Sequence, residues 1–122
     1  MAHVETIFGK PIAKANHYLA TPHGIVKDSV IRAYEQEFLR QCVFYRDKHI
    51  NVPFELNIDV YFTTNASDLD NILKTALDCL QECGAITNDN LCMKIAARKY
   101  VSKRPRLEFS ITPIETTLFD MI

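Results

Sequence analysis

Residues 54 to 62, FELNIDVYF, alternate strictly: Phe54, Leu56, Ile58, Val60 and Phe62 take one face, and Glu55, Asn57 and Asp59 the other. That is the period of a strand with one buried side. On either side the period changes. From Asp28 to about His49 the apolar positions Val30, Ile31, Tyr34, Phe38, Cys42 and Tyr45 recur at three and four, which predicts an amphipathic helix. Leu69, Ile72, Leu73, Ala76, Leu77 and Leu80 do the same from about Asp68 to Cys83, with Gly84 where a C-terminal cap belongs. Val4, Thr6 and Phe8 predict a short first strand, and residues 91–101 and 106–112 two more, joined through SKRPR as a hairpin. The stretch between the first strand and first helix contains Pro11, Pro22 and Gly24 and reads as a loop of roughly fifteen residues, a length at which loops commonly carry function.

The resulting order, β-α-β-α-β-β, predicts an α+β fold in which two helices pack on a mixed sheet with a C-terminal hairpin. At 122 residues and 48% hydrophobic content the chain fits a single domain, 1–122, with residues 113–122 as a flexible or docking tail. No run reaches transmembrane length, and MAHVETIFGK lacks the charged head and apolar centre of a signal peptide. A cytoplasmic location with no membrane partner is therefore expected. Cys42, Cys79, Cys83 and Cys92 include no CxxC pair, and Cys79 and Cys83 fall on the apolar stripe of the second helix, so they read as reduced core cysteines.

A formal net charge of −1 argues weakly against nucleic acid, but the distribution of charge argues for it. Between Ile7 and Lys27 there is no acid, only Lys10, Lys14, Lys27, His17 and His23. Between Asn90 and Leu107 there is again none, against Lys94, Arg98, Lys99, Lys103, Arg104 and Arg106. Two explanations fit such runs: solvated faces, or a surface that holds phosphate.

The acids concentrate where the second helix begins. In ASDLDNILK, Ser67 is placed to cap the helix with Asp70 at its third position, and the helix dipole favours acids in a first turn by about 0.3–1 kcal/mol each. Alternatively, Asp68 and Asp70 fold over the helix end and share one cation, with Lys74 a turn beyond Asp70. A third carboxylate bears on the choice. The helix climbs about 20 Å from Asp70 to Cys83, and six extended residues at roughly 3.3 Å each return about as far. Asp89 is thus expected back near the helix start. Three oxygen donors without thiolate or imidazole neighbours suit Mg²⁺ or Mn²⁺ and not zinc.

At these residues a family resemblance appears. DLDNILKTALDCLQECGAITND (68–89) resembles the signature of RusA-type Holliday-junction resolvases, phage-associated endonucleases in which D-L-D-N-x-x-K opens a helix and a further aspartate follows in G-x-x-x-D-D. The likeness continues to Lys99 in the following strand and, more loosely, to RLEFSIT, spanning the second half of the chain. In the first half only PIAKANHY, with Asn16, is similar to the family's proline-containing basic loop.

The resemblance implies that Asp68, Asp70 and Asp89 are catalytic metal-binding carboxylates for Mg²⁺, with Mn²⁺ as a substitute, that Lys74 is the essential lysine, and that Asn71 is the motif's amide. It implies a homodimeric endonuclease that resolves four-way DNA junctions by paired nicks. A two-fold symmetric junction needs two cuts, and one chain offers one such constellation. Lys10, Lys14, Asn16, Lys94, Arg98, Lys99, Lys103, Arg104 and Arg106 are the expected DNA contacts. This chain departs from the family twice: the terminal Asp-Asp is Asn88-Asp89, and FTTNAS stands where members carry arginines before D-L-D. A module that binds junctions without cutting them is the alternative reading, and a domain that binds no nucleic acid is a third.

Overall fold

The alternating segment becomes the central strand of the molecule. A computed structural model, describing residues 2–114, runs in the order β1 (Glu5–Phe8), β2 (Tyr18–Thr21), β3 (Gly24–Lys27), α1 (Ser29–Gln41), β4 (Phe54–Phe62), α2 (Leu69–Glu82), β5 (Cys92–Val101) and β6 (Arg106–Pro113). The main sheet has the strand order β1-β6-β4-β5. Phe54, Leu56, Ile58, Val60 and Phe62 of β4 are all buried, as strict alternation requires. Against them pack Ile31, Tyr34 and Phe38 of α1 and Ile72, Ala76, Cys79 and Leu80 of α2. Leu107, Phe109 and Ile111 of β6 extend the same apolar face, with Phe38 stacked on Phe109 at 5.9 Å. Burying one such side chain contributes roughly 1.5–3 kcal/mol.

The α+β class, the two helices and the mixed sheet are as expected. The C-terminal hairpin is not: β5 and β6 do not pair with each other but flank β4, β5 in parallel and β6 antiparallel. Alternation in RLEFSIT marks a strand but cannot name its partner. Residues 102–105 pass over the end of β4, Ser102 N–H donating to Phe62 O (2.8 Å) and Gly9 N–H to Pro105 O (3.1 Å). Nor is the long segment before α1 simply a loop. Residues 18–27 form a separate two-stranded sheet, β2 with β3, turning at Gly24 (φ 115°). The first strand was expected from Val4, Thr6 and Phe8, yet Val4 and Phe8 are exposed and the inward residues are Glu5 and Ile7. Glu5 is accommodated because its carboxylate accepts the N–H groups of Phe44 and Tyr45.

α1 ends two turns before the expected His49. Cys42 and Tyr45 still reach the core, but through an irregular segment in which Asp47 and His49 take positive φ (61° and 49°), a backbone that no α-helix continues through. Cys42, Cys79 and Cys83 are buried free thiols and Cys92 is half-buried, as read from the sequence. The tail beyond residue 114 lies outside the described residues.

Gly84 decides where the chain goes after α2. At φ 76° it donates to Gln81 O, and Ala85 N–H reaches back to Leu80 O (2.9 Å), closing the helix with a left-handed cap. A Cβ there would come within 2.9 Å of Asp47 Oδ1. Gly84→Ala is expected to cost about 1–3 kcal/mol of stability, read as a lowered midpoint in urea denaturation.

Candidate functional site

Helix α2 starts at the end of β4, and its first residues form the centre of the site. The N-cap is Asp68, not Ser67, and the Asp68 side chain makes no capping hydrogen bond. The contrast with α1 is direct: there Asp28 Oδ1 accepts Ile31 N–H at 2.9 Å, as a capping aspartate should. Helix capping therefore accounts for Asp28 and leaves the carboxylate of Asp68 unexplained. Asp70 lies in the first turn, and both are exposed. The capping box expected of Ser67 and Asp70 does not form. Instead the Ser67 carbonyl accepts Lys99 Nζ–H at 2.8 Å, and the Asn65 carbonyl accepts the same ammonium at 3.1 Å.

Lys99, placed on β5 opposite Val60, thus ties the loop before Asp68 to the sheet. It was expected to contact DNA, but in the structure it holds backbone. Lys74 is exposed and borders a shallow groove with Tyr18, Asn71 and Asp78. The expected pairing with Asp70 is not among the ion pairs of the described residues.

Asp89 does not return to the helix start. After Gly84 the chain runs beside the segment that leads into β4, with Ile86 bridging Ile50 in parallel. Asp89 opens a short 3₁₀ turn just before β5, which begins opposite Phe54. Its N–H donates to Gln81 Oε1 (3.1 Å), near the C-terminal end of α2, roughly 20 Å along the helix from Asp68. The expectation of a return overlooked that α2 is itself the crossover between parallel strands and has already carried the chain back. Among the described residues no group of three metal-ligating side chains converges. One chain by itself does not fit a three-carboxylate site. Asn88, the departure from Asp-Asp, caps the turn by accepting Asn90 N–H.

The basic residues separate into distinct roles. Lys14 is buried: its ammonium lies 3.1 Å from Glu35, 3.1 Å from Glu82 and 3.4 Å from Asp78, and its N–H donates to Thr75 Oγ1. Expected as a DNA contact, it has its charge matched inside the protein by these three carboxylates. Burial works against that charge, but Glu82 and Glu35 outweigh it and hold the ammonium well above its ordinary range. Lys27 joins the same cluster through Glu35 (2.8 Å). Burial also opposes ionisation of Glu35, yet its contacts with Glu82, Lys27 and Lys14 hold its carboxyl down to about 2. The network fastens the 10–27 segment to both helices. On the sheet face away from the helices, Arg98 pairs with Asp59 (2.7 Å), Lys94 with Glu55 (3.7 Å) and Arg106 with Glu108 (2.6 Å). Arg106 also lies over the Tyr61 ring. Lys10, Lys103 and Arg104 are exposed, and Arg104 sits 5.7 Å from the Phe8 ring. Asn16 and Lys10 line a cavity of about 390 Å³ that also touches Asp68 and Asn71.

No helix among the described residues is long and apolar enough to cross a membrane. The family model for endodeoxyribonuclease RusA matches residues 9–112. The crossover junction endodeoxyribonuclease RusA of Aquifex aeolicus (strain VF5) is 25% identical over 108 residues, covering 84% of this chain and 85% of that protein. The match takes in the helix that opens with the Asp68 motif, the turn that carries Asp89 and the strand that carries Lys99, so the chain belongs to the RusA family of Holliday-junction endodeoxyribonucleases.

Proposed function

We propose that this protein is a divalent-metal-dependent endonuclease that cuts four-way DNA junctions as a homodimer, each site being assembled from two chains. The observation that carries the reading is a pair of exposed carboxylates, Asp68 and Asp70, the first of which caps nothing, beside an exposed Lys74 in a RusA-family chain. Asp68 and Asp70 supply two ligands, and Asp89 of the partner subunit supplies the third. Mg²⁺, or Mn²⁺ in its place, is the ion that such oxygen donors suit, and the chemistry it supplies is polarisation of a phosphodiester and activation of water. Lys74 stabilises the negative charge that gathers on the phosphoryl oxygens.

The open edge of the sheet supports that pairing. Among the described residues β5, of 10 residues, has a neighbour on one side only. Met93 (45%), Ile95 (40%) and Val101 (59%) leave much of their apolar surface exposed along it. Long apolar edges invite pairing with another strand. A two-fold axis through that edge sets β5 antiparallel to its copy. The partner's Asp89, just before its β5, then approaches the end of this β5, where Lys99 anchors the loop of Asp68. Two equivalent sites result, as two symmetric cuts require. Exposed Lys10, Lys103 and Arg104 are the proposed phosphate contacts.

The test is incubation of purified protein with an end-labelled four-way junction. Symmetric nicks are expected with Mg²⁺ and none with EDTA. Junction binding without nicking at any divalent-ion concentration would leave only the non-catalytic module.

A further inference from the structure

The cavity beside Asp68 adjoins the proposed metal site, and most of its lining has no part in the chemistry described so far. It lies between the 10–17 segment, the end of β4 and the first turn of α2, and its volume of about 390 Å³ falls within the range of roughly 300–1,000 Å³ found for small-molecule sites. Ile12, Phe62 and Ile72 make its apolar wall, and Asn16, His17 and Asn71 bring polar groups to it. Phe62 and Ile72, each 3% exposed, are its firm backing, while half-buried Ile12 and exposed Val30 turn more apolar surface to it. His17 is fixed as well: its Nδ1 is 2.7 Å from Asp28 Oδ2, and Nε2 has no hydrogen-bond partner among the described residues. The Lys14 cluster and the Thr75 bond to Lys14 N–H hold the adjoining segment rigidly against α2.

Resting on the nuclease reading above, we infer that this cavity receives one unpaired base of the junction, next to the phosphate that is cut, and makes cleavage selective for that base. Asp68 lines the cavity, so a group that fills it lies beside the phosphate held at the proposed metal site. A base is flat and apolar on its faces and carries donors and acceptors on its edge, which matches an apolar wall faced by two amides and an imidazole. Asparagine reads base edges with paired hydrogen bonds. Lys10 at the same cavity supplies a cation for a neighbouring phosphate. Extruding a base costs least where pairing is already broken, as at the branch point of a junction.

The experiment places 2-aminopurine at each position within two nucleotides of the cut and measures its fluorescence on binding in EDTA, so that no turnover is involved. Fluorescence is expected to rise at one position with the natural protein. Ala66→Leu, which fills the cavity from an exposed wall residue, is expected to abolish that rise while binding persists. In parallel, junctions carrying each of the four bases at that position are cut with Mg²⁺. Discrimination of roughly 10-fold or more among bases is expected, falling to within two- or three-fold in Asn16→Ala. The inference is overturned by no fluorescence rise at any position, by a rise that survives Ala66→Leu, or by unchanged base preference in Asn16→Ala. Absence of all metal-dependent nicking by the natural protein would overturn the nuclease reading instead. Fluorescence in EDTA remains informative in that case.

Discussion

Asp70→Asn and Asp89→Asn proteins, each inactive alone, are expected to regain nicking when their subunits are mixed by unfolding and refolding together. The reason is the separation of the carboxylates by the length of α2 within one chain. If each site takes Asp68 and Asp70 from one subunit and Asp89 from the other, a mixed dimer has one site with both lesions and one with none. Random pairing makes half of the dimers mixed, so about a quarter of the natural sites are restored. Such dimers should nick one strand of a junction without resolving it. A second readout needs no catalysis: Mn²⁺ titration should find two tight ions per natural dimer, none in either variant alone, and about a quarter of the natural number in the mixture. Sites built within single chains predict no recovery, because every site in the mixture then carries one lesion. That outcome would refute the shared site, whereas an inactive natural protein would refute the nuclease reading itself.

How much of this was legible in the chain depends on whether a feature is local. The alternation in 54–62 records burial on one face, a property each residue carries itself, and β4 appears at the expected residues. The same holds for α2, whose ends lie within a residue of those expected, its start shifted by one because Asp68 and not Ser67 occupies the N-cap position. Pairing is not local. RLEFSIT reads as a strand whether its neighbour is β5 or β4, and only the demand of β4 for two partners puts β5 and β6 on opposite sides. The position of Asp89 failed for the same reason, since a parallel crossover reverses where the end of a helix lies relative to the next strand. Charge was the least legible feature. Lys14 and Lys10 look alike in sequence, but one is buried among Glu35, Asp78 and Glu82 while the other is exposed. The signal for Lys14 was present in principle: Glu35 on α1 and Asp78 and Glu82 on α2 needed a cation, but only the packed helices bring them to one place.

Lys74→Arg is expected to fold, dimerise and bind junctions in EDTA like the natural protein, yet to cut them roughly 100-fold or more slowly, the loss typical of removing one donor to a transition-state oxygen. If Lys74 were only a surface residue of α2, a pair with Asp70 would contribute about 0.3–0.5 kcal/mol, and arginine would serve as well. The structure already removes part of that explanation, because the ion pair with Asp70 is not formed among the described residues. What remains is an exposed ammonium one turn from Asp70, in a groove bordered by Tyr18 and Asn71. There the position of the charge matters more than its presence. An ammonium is a compact point charge with three donors, while guanidinium is planar, wider and delocalised, so it cannot place the same charge against one phosphoryl oxygen. Single-turnover cleavage with saturating protein isolates this step from binding, and urea denaturation checks the fold. Natural cleavage rates in Lys74→Arg would exclude any transition-state role and return Lys74 to the solvated face of α2.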